Sequence, residues 1–137
     1  TDEDLRALRS NFGGKGEIPD VVVFAAPQLS IVEIEQLVRL IDGQTLKVPM
    51  IVCTAPQTFG DARRMGFINK IESAGGTVLE GTCFYNQYAR EIGEANGWVR
   101  LLSNSAKIVN ILGGYGYKPA LASMQDCVTA AIHGKIV

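Results

Sequence analysis

Short runs of β-branched residues that alternate with amphipathic segments predict an α/β fold. The expected form is a three-layer α/β/α sandwich around a mostly parallel sheet of four to five strands. Three observations carry this expectation. The apolar runs show no polar alternation, as strands buried on both faces require. Each run is followed by a segment of helical period, and right-handed crossovers then make the strands parallel. The length of 137 residues suits one domain and excludes a TIM barrel, which needs about 250.

Each element has its own justification. Thr1 to Phe12 places Leu5 and Leu8 on one helical face and ends at Gly13-Gly14. Asp20 to Ala26, with three consecutive valines, reads as the first strand, stopped by Pro27. Ser30 and Glu33 have the spacing of a capping box, and Ile31, Ile34, Leu37, Val38 and Ile41 recur at helical spacing up to Gly43. Val48 to Thr54 is the second strand, with Pro49 tolerated near its start. A helix from Phe59 to Ser73 is closed by Gly75-Gly76, and Thr77 to Thr82 is the third strand. Asn86 to Asn96 is helical up to Gly97, and Val99 to Ser103 is the fourth strand. Ser105 to Leu112 is a short helix stopped by Gly113-Gly114, and Lys118 to Ala122 a short fifth strand. The last helix runs from Ser123 to His133 under the Gly134 cap.

Composition narrows the function classes. With 13 basic and 14 acidic side chains, the chain lacks the clustered basic surplus that nucleic acid or an anionic membrane demands. No apolar run approaches the roughly 18–20 residues of a membrane span, and the amino end has no signal-peptide core. Cys53, Cys83 and Cys127 are odd in number, widely spaced and without a C-x-x-C pair. That pattern suits thiols in a reducing, cytoplasmic compartment better than a disulfide scaffold or zinc ribbon. The chain opens on Thr1, and residues 1–137 are expected to form a single domain that is a piece of a larger protein.

Chemistry is expected beyond the carboxyl ends of the strands, where open parallel sheets bind ligands. The densest polar cluster is Ser103-Asn104-Ser105-Ala106-Lys107, at the fourth strand's end and the amino-terminus of the next helix. Free amides, a hydroxyl and a lysine charge there would suit a carboxylate or phosphate. Simple capping by Asn104 or Ser105, with Lys107 in solvent, accounts for the same residues. Cys83, just after the third strand, is a candidate nucleophile or metal ligand, with no cysteine or histidine nearby. Cys127 has the apolar spacing of a core residue, and His133 sits at a helix end. Leu112 to Tyr117 is glycine-rich but has neither nucleotide-loop order nor a Walker lysine.

From Asp20 onward the ordered motifs resemble the C-terminal part of the aconitase X large subunit. The resemblance rests on Pro27 to Ser30 after the first strand, Cys53-Thr54, Thr82-Cys83, and Asn104-Ser105-Ala106-Lys107. It continues through Ser123 to Ala131, with Cys127-Val128, and the closing Gly134. It implies a domain of a hydro-lyase whose members dehydrate phosphomevalonate or cis-3-hydroxy-L-proline. An iron–sulfur cluster would act there as Lewis acid, and the partners would be an N-terminal region of the large subunit and a small swivelling subunit or domain. By position, Cys83 is implied as a cluster ligand, with Cys53 a second candidate. Ser103, Asn104, Ser105 and Lys107 are implied as substrate-binding.

Two positions depart from the family pattern. Ala25-Ala26-Pro27-Gln28 stands where many members carry Gly-Cys-Pro-His, and Ala55-Pro56 follows Cys53-Thr54 where Ser-Arg is usual. Alanine cannot ligate iron, and proline offers no bidentate fork to an anion. These departures favour an alternative: a non-catalytic α/β domain that binds a small carboxylate or phosphate, or an interaction module between subunits. The retained Cys83 and Asn104 to Lys107 favour the dehydratase.

Overall fold

A computed structural model describes residues 16–81, 89–112 and 116–137. Five parallel strands form one sheet in the order β3-β2-β1-β4-β5. The strands are β1 (Val21–Leu29), β2 (Met50–Thr54), β3 (Gly76–Glu80), β4 (Arg100–Ser103) and β5 (Lys118–Leu121). The helices are α1 (Ile31–Ile41), α2 (Pro56–Arg64), α3 (Phe67–Ala74), α4 (Ala89–Asn96), α5 (Ala106–Leu112) and α6 (Met124–His133). The expected helix over Thr1 to Phe12, and the glycines from Gly113 to its neighbour Gly114, lie outside the described residues.

The alternation of side chains along each strand divides the core in two. Val22, Phe24, Met50, Val52, Leu102 and Ala120 point to one face, where they meet Ile34, Leu37, Ile68, Ile71, Cys127 and Val128. Val21, Val23, Ala25, Ile51, Cys53 and Leu101 point to the other, against Ile108, Leu112 and Tyr117. On the first face α1 packs against α3 and α6; on the second α5 lies on β1, β4 and β5. Helices that cover both faces make the sandwich expected from the uninterrupted apolar strands. The five residues of β2 are all buried, as are Val21 to Ala25 of β1.

Local chemistry sets the boundaries. Ser30 caps α1 through the Glu33 amide at 3.2 Å, and Glu33 Oε1 accepts the Ser30 amide at 3.1 Å, completing the capping box. The expected helix from Phe59 to Ser73 is in fact two. It begins earlier, with Pro56 in the first turn, and breaks at Met65–Gly66, where Gly66 has φ 83°. Only glycine takes that conformation without strain, so the two helices can lie at different angles. β1 also differs from expectation, since Pro27 does not end it. The strand continues to Leu29 past a register shift.

Asp20 ties β4 to β1 before the ladder begins. Its Oδ2 accepts the amides of Val99 at 2.9 Å and Arg100 at 2.8 Å, and its own amide donates to Arg100 O at 2.8 Å. Asp20→Ala removes two charge-assisted bonds and should cost about 1–3 kcal/mol in denaturant unfolding. Phe24→Ala, at a fully buried site, should cost about 3–5 kcal/mol in the same measurement. Burial raises the Tyr117 hydroxyl from 10.0 to about 12. The folded state therefore holds this proton more tightly than the unfolded chain. Its contribution is intact below pH 10.0 and is lost as pH rises toward about 12, a decline that thermal melts across that window should show.

Candidate functional site

The strand order reverses direction between β1 and β4. From β1 the chain steps outward through β2 to β3, then returns across the sheet to β4 and β5. Neighbouring connections leave on opposite faces at such a point, and a crevice opens beyond the carboxyl ends. Here the geometry widens it. The β1–β4 ladder ends at Val23↔Ser103, and from there β1 stays with β2. Between the pairs Phe24↔Val52 and Leu29↔Thr54, five positions of β1 cover the span of two on β2. Ala25 to Gln28 therefore bulge at the mouth of the crevice, a device that re-aims backbone beside functional sites.

Thr54 holds this bulge in place. Its buried Oγ1 donates to Leu29 O at 2.9 Å, which fixes where β1 rejoins β2. Thr54 O in turn accepts the Gly81 amide at 2.9 Å, setting where the chain leaves β3. Sequence reasoning noticed Thr54 as a strand end but missed its role, because the acceptor lies 25 residues away.

Across the crevice stands the turn from β4 into α5. Ser103 is fully buried, and its Oγ accepts the Ser105 amide at 3.2 Å. Ser105 is the cap of α5, with its Oγ accepting the Ile108 amide at 3.2 Å. Ala122 donates to Ser103 O at 2.9 Å and carries β5 past the same turn. Asn104 is half-buried and Lys107 is exposed in the first turn of α5. The structure thus brings all four residues of the cluster together, with two serines holding the turn and Asn104 and Lys107 reaching its surface. An amide and an ammonium beside a helix start are chemistry for an oxyanion.

The thiols divide differently. Cys53 is buried in the cluster beneath α5, whereas Cys127 is buried on the opposite face of the sheet. Burial, with a smaller effect from Asp126, pushes the Cys127 thiol up, so it stays protonated where a ligand must be a thiolate. Cys83 lies outside the described residues. Among the described residues, no three of the His, Cys, Asp and Glu side chains gather as a metal ion requires. Ala25, buried at the start of the bulge, carries no ligating side chain. The described donor set does not fit an iron–sulfur centre by itself.

Residues 19–133 match the family described as the aconitase X third domain. The phosphomevalonate dehydratase large subunit of Methanocaldococcus jannaschii is 28% identical over 105 residues, 77% of this chain and 25% of that protein. Its namesake from Thermococcus kodakarensis is 23% identical over 133 residues, covering 95% of this chain and 33% of that protein. The crystal structure of Thermococcus kodakaraensis aconitase X in its holo-form shares the fold. Its TM-score is 0.78 at 23% identity, over 95% of this chain and 33% of that one. The chain spans a quarter to a third of the length of these relatives.

The site's local structure yields two expectations. Ser105→Ala removes the cap of α5 and should lower unfolding stability by about 1 kcal/mol. Cys53 and Cys127 should resist iodoacetamide in the native protein and react once guanidinium unfolds it. Rapid alkylation of either under native conditions would contradict their burial.

Proposed function

The chain belongs to the aconitase X family, and on that premise we propose that residues 1–137 form the third domain of a hydro-lyase that dehydrates a small anionic hydroxy acid. Phosphomevalonate and cis-3-hydroxy-L-proline are the candidate substrates. The observation that carries this reading is the crevice at the reversal of strand order, where the Ala25–Gln28 bulge faces the Ser103–Lys107 turn.

In this reading Lys107 supplies the cation and Asn104 the amide that hold the substrate's anionic group. Ser103 and Ser105 bind through the shape they impose on the turn. Ser105 keeps the start of α5 intact, and Ser103 fixes the amide of Ser105. Anchoring the anion orients the carbon that loses its hydroxyl and the neighbouring carbon that loses a proton. Cys83 is the cluster ligand we assign to this chain, with the remaining ligands supplied by the rest of the large subunit, since such centres generally need three or four. An iron–sulfur cluster, when bound, supplies Lewis-acid activation of a hydroxyl. Cys53 is the weaker assignment, because its side chain is fully buried. A small subunit or swivelling domain completes the enzyme, which we place in the cytoplasm. No helix among the described residues is long and apolar enough to cross a membrane.

The alternative, a non-catalytic domain that binds a carboxylate or phosphate or joins subunits, is favoured by Ala26 in place of the family's cysteine. The two readings separate in the complete protein. After anaerobic reconstitution with iron and sulfide, water loss from either hydroxy acid is expected, and Cys83→Ala should lower iron content. Unchanged iron in Cys83→Ala removes the ligand assignment. Lys107→Ala should raise KM about 10–100-fold, the cost of a charged hydrogen bond. Anion binding without any dehydration would establish the binding module instead.

A further inference from the structure

The amino edge of the sheet, opposite the crevice, carries chemistry that the domain itself does not satisfy. Arg100 and Lys118 open β4 and β5 and stand directly opposite each other in register. Both are exposed, and like charges so placed repel. Asp20, whose Oδ2 accepts the amides of Val99 and Arg100, is ion-paired to neither. The ion pairs among the described residues join Glu35 to Arg39 and Asp61 to Arg64, and leave Arg100 and Lys118 out.

Exposed apolar side chains occur at the same end of the domain, and Val99 adjoins both cations through its own position and the bond from the Lys118 amide to its carbonyl. Ile18 is 56% exposed, Val99 41% and Val137 64%, three of the five exposed large hydrophobics among the described residues. Ile18 lies just ahead of Asp20, and Val99 precedes Arg100. Val137 follows Ile136, whose backbone bonds to Gly16 and Glu17 at 2.7 and 2.8 Å. Apolar residues rimmed by charge are the surface of an interface.

We propose that this amino edge docks against an acidic, partly apolar face of another domain of the same large chain. The two unmatched cations set the sign of the partner. The relatives set its source: this chain corresponds to 25% and 33% of their length, so most of such a polypeptide lies outside the domain. A nucleic-acid partner is disfavoured, since two cations in a chain of net charge −1 make no phosphate track.

The inference rests on the reading of this chain as one domain of a longer enzyme, but its test does not depend on dehydration. In the complete large chain, amine acetylation of Lys118 should be several-fold slower than that of Lys70, which is exposed on α3. A zero-length carbodiimide should couple Lys118 to aspartates or glutamates outside residues 1–137. The Arg100→Glu, Lys118→Glu double variant alters two exposed side chains, so the domain should still fold. It should lose those couplings and unfold in a calorimetric transition separate from the rest of the chain. Acetylation of Lys118 as fast as Lys70 overturns the proposal. So do couplings confined to this domain, Asp2, Glu3 and Asp4 included, or couplings to a second copy. An active dehydratase with a freely reactive Lys118 removes the docking alone. An inactive protein with a shielded, coupled Lys118 removes the dehydratase alone.

Discussion

Both layers of the core and the crevice above them depend on the burial of β1. This strand pairs with β2 on one side and β4 on the other, and Val21 to Ala25 have no appreciable exposure. Its side chains feed the two faces in turn, so each helical layer is anchored on it. Every one of its early amides and carbonyls must be paired, since water cannot reach them. That requirement holds β2 and β4 alongside. The same central position makes β1 the pivot where strand order reverses, so the strand that organises the core also creates the site.

The two edges of the sheet are then used for different purposes. At the carboxyl edge the β1–β4 ladder stops at Val23 and Ser103, and the backbone is spent on a bulge and a capped turn. At the amino edge Asp20 draws β4 against β1, and the exposed residues are cations and aliphatics. Small polar groups that hold a turn suit a small ligand. Exposed aliphatics with unmatched charge suit a protein surface.

The chain belongs to the aconitase X family, and its own residues give the crevice a particular form. The turn that the family resemblance singled out, Asn104 to Lys107, is intact and built on two serine hydroxyls. The segment opposite is the bulge over residues 25–28, where β1 shifts register against β2. The thiols that the structure does describe are packed into separate faces of the core. An iron–sulfur cluster would therefore need ligands beyond the described residues.

The amino-acid sequence alone determined the sandwich, the order of its elements and the cluster at Ser103 to Lys107. Those features follow from local signals: apolar runs without alternation, capping serines and glycine stops, each legible within a few neighbours. The break at Gly66 was also written locally, but the helical period runs through it, and only the structure shows two helices with Gly66 at φ 83° between them. Tertiary structure decided the rest. Whether Pro27 ends β1 depends on the bond from Thr54 Oγ1 to Leu29 O, and whether Asp20 is a surface acid depends on amides 79 and 80 residues away. The opposing cations of Arg100 and Lys118 likewise exist only once β4 and β5 are in register. Such contacts join residues with no sequence relation, so no periodicity or spacing announces them until the sheet has assembled.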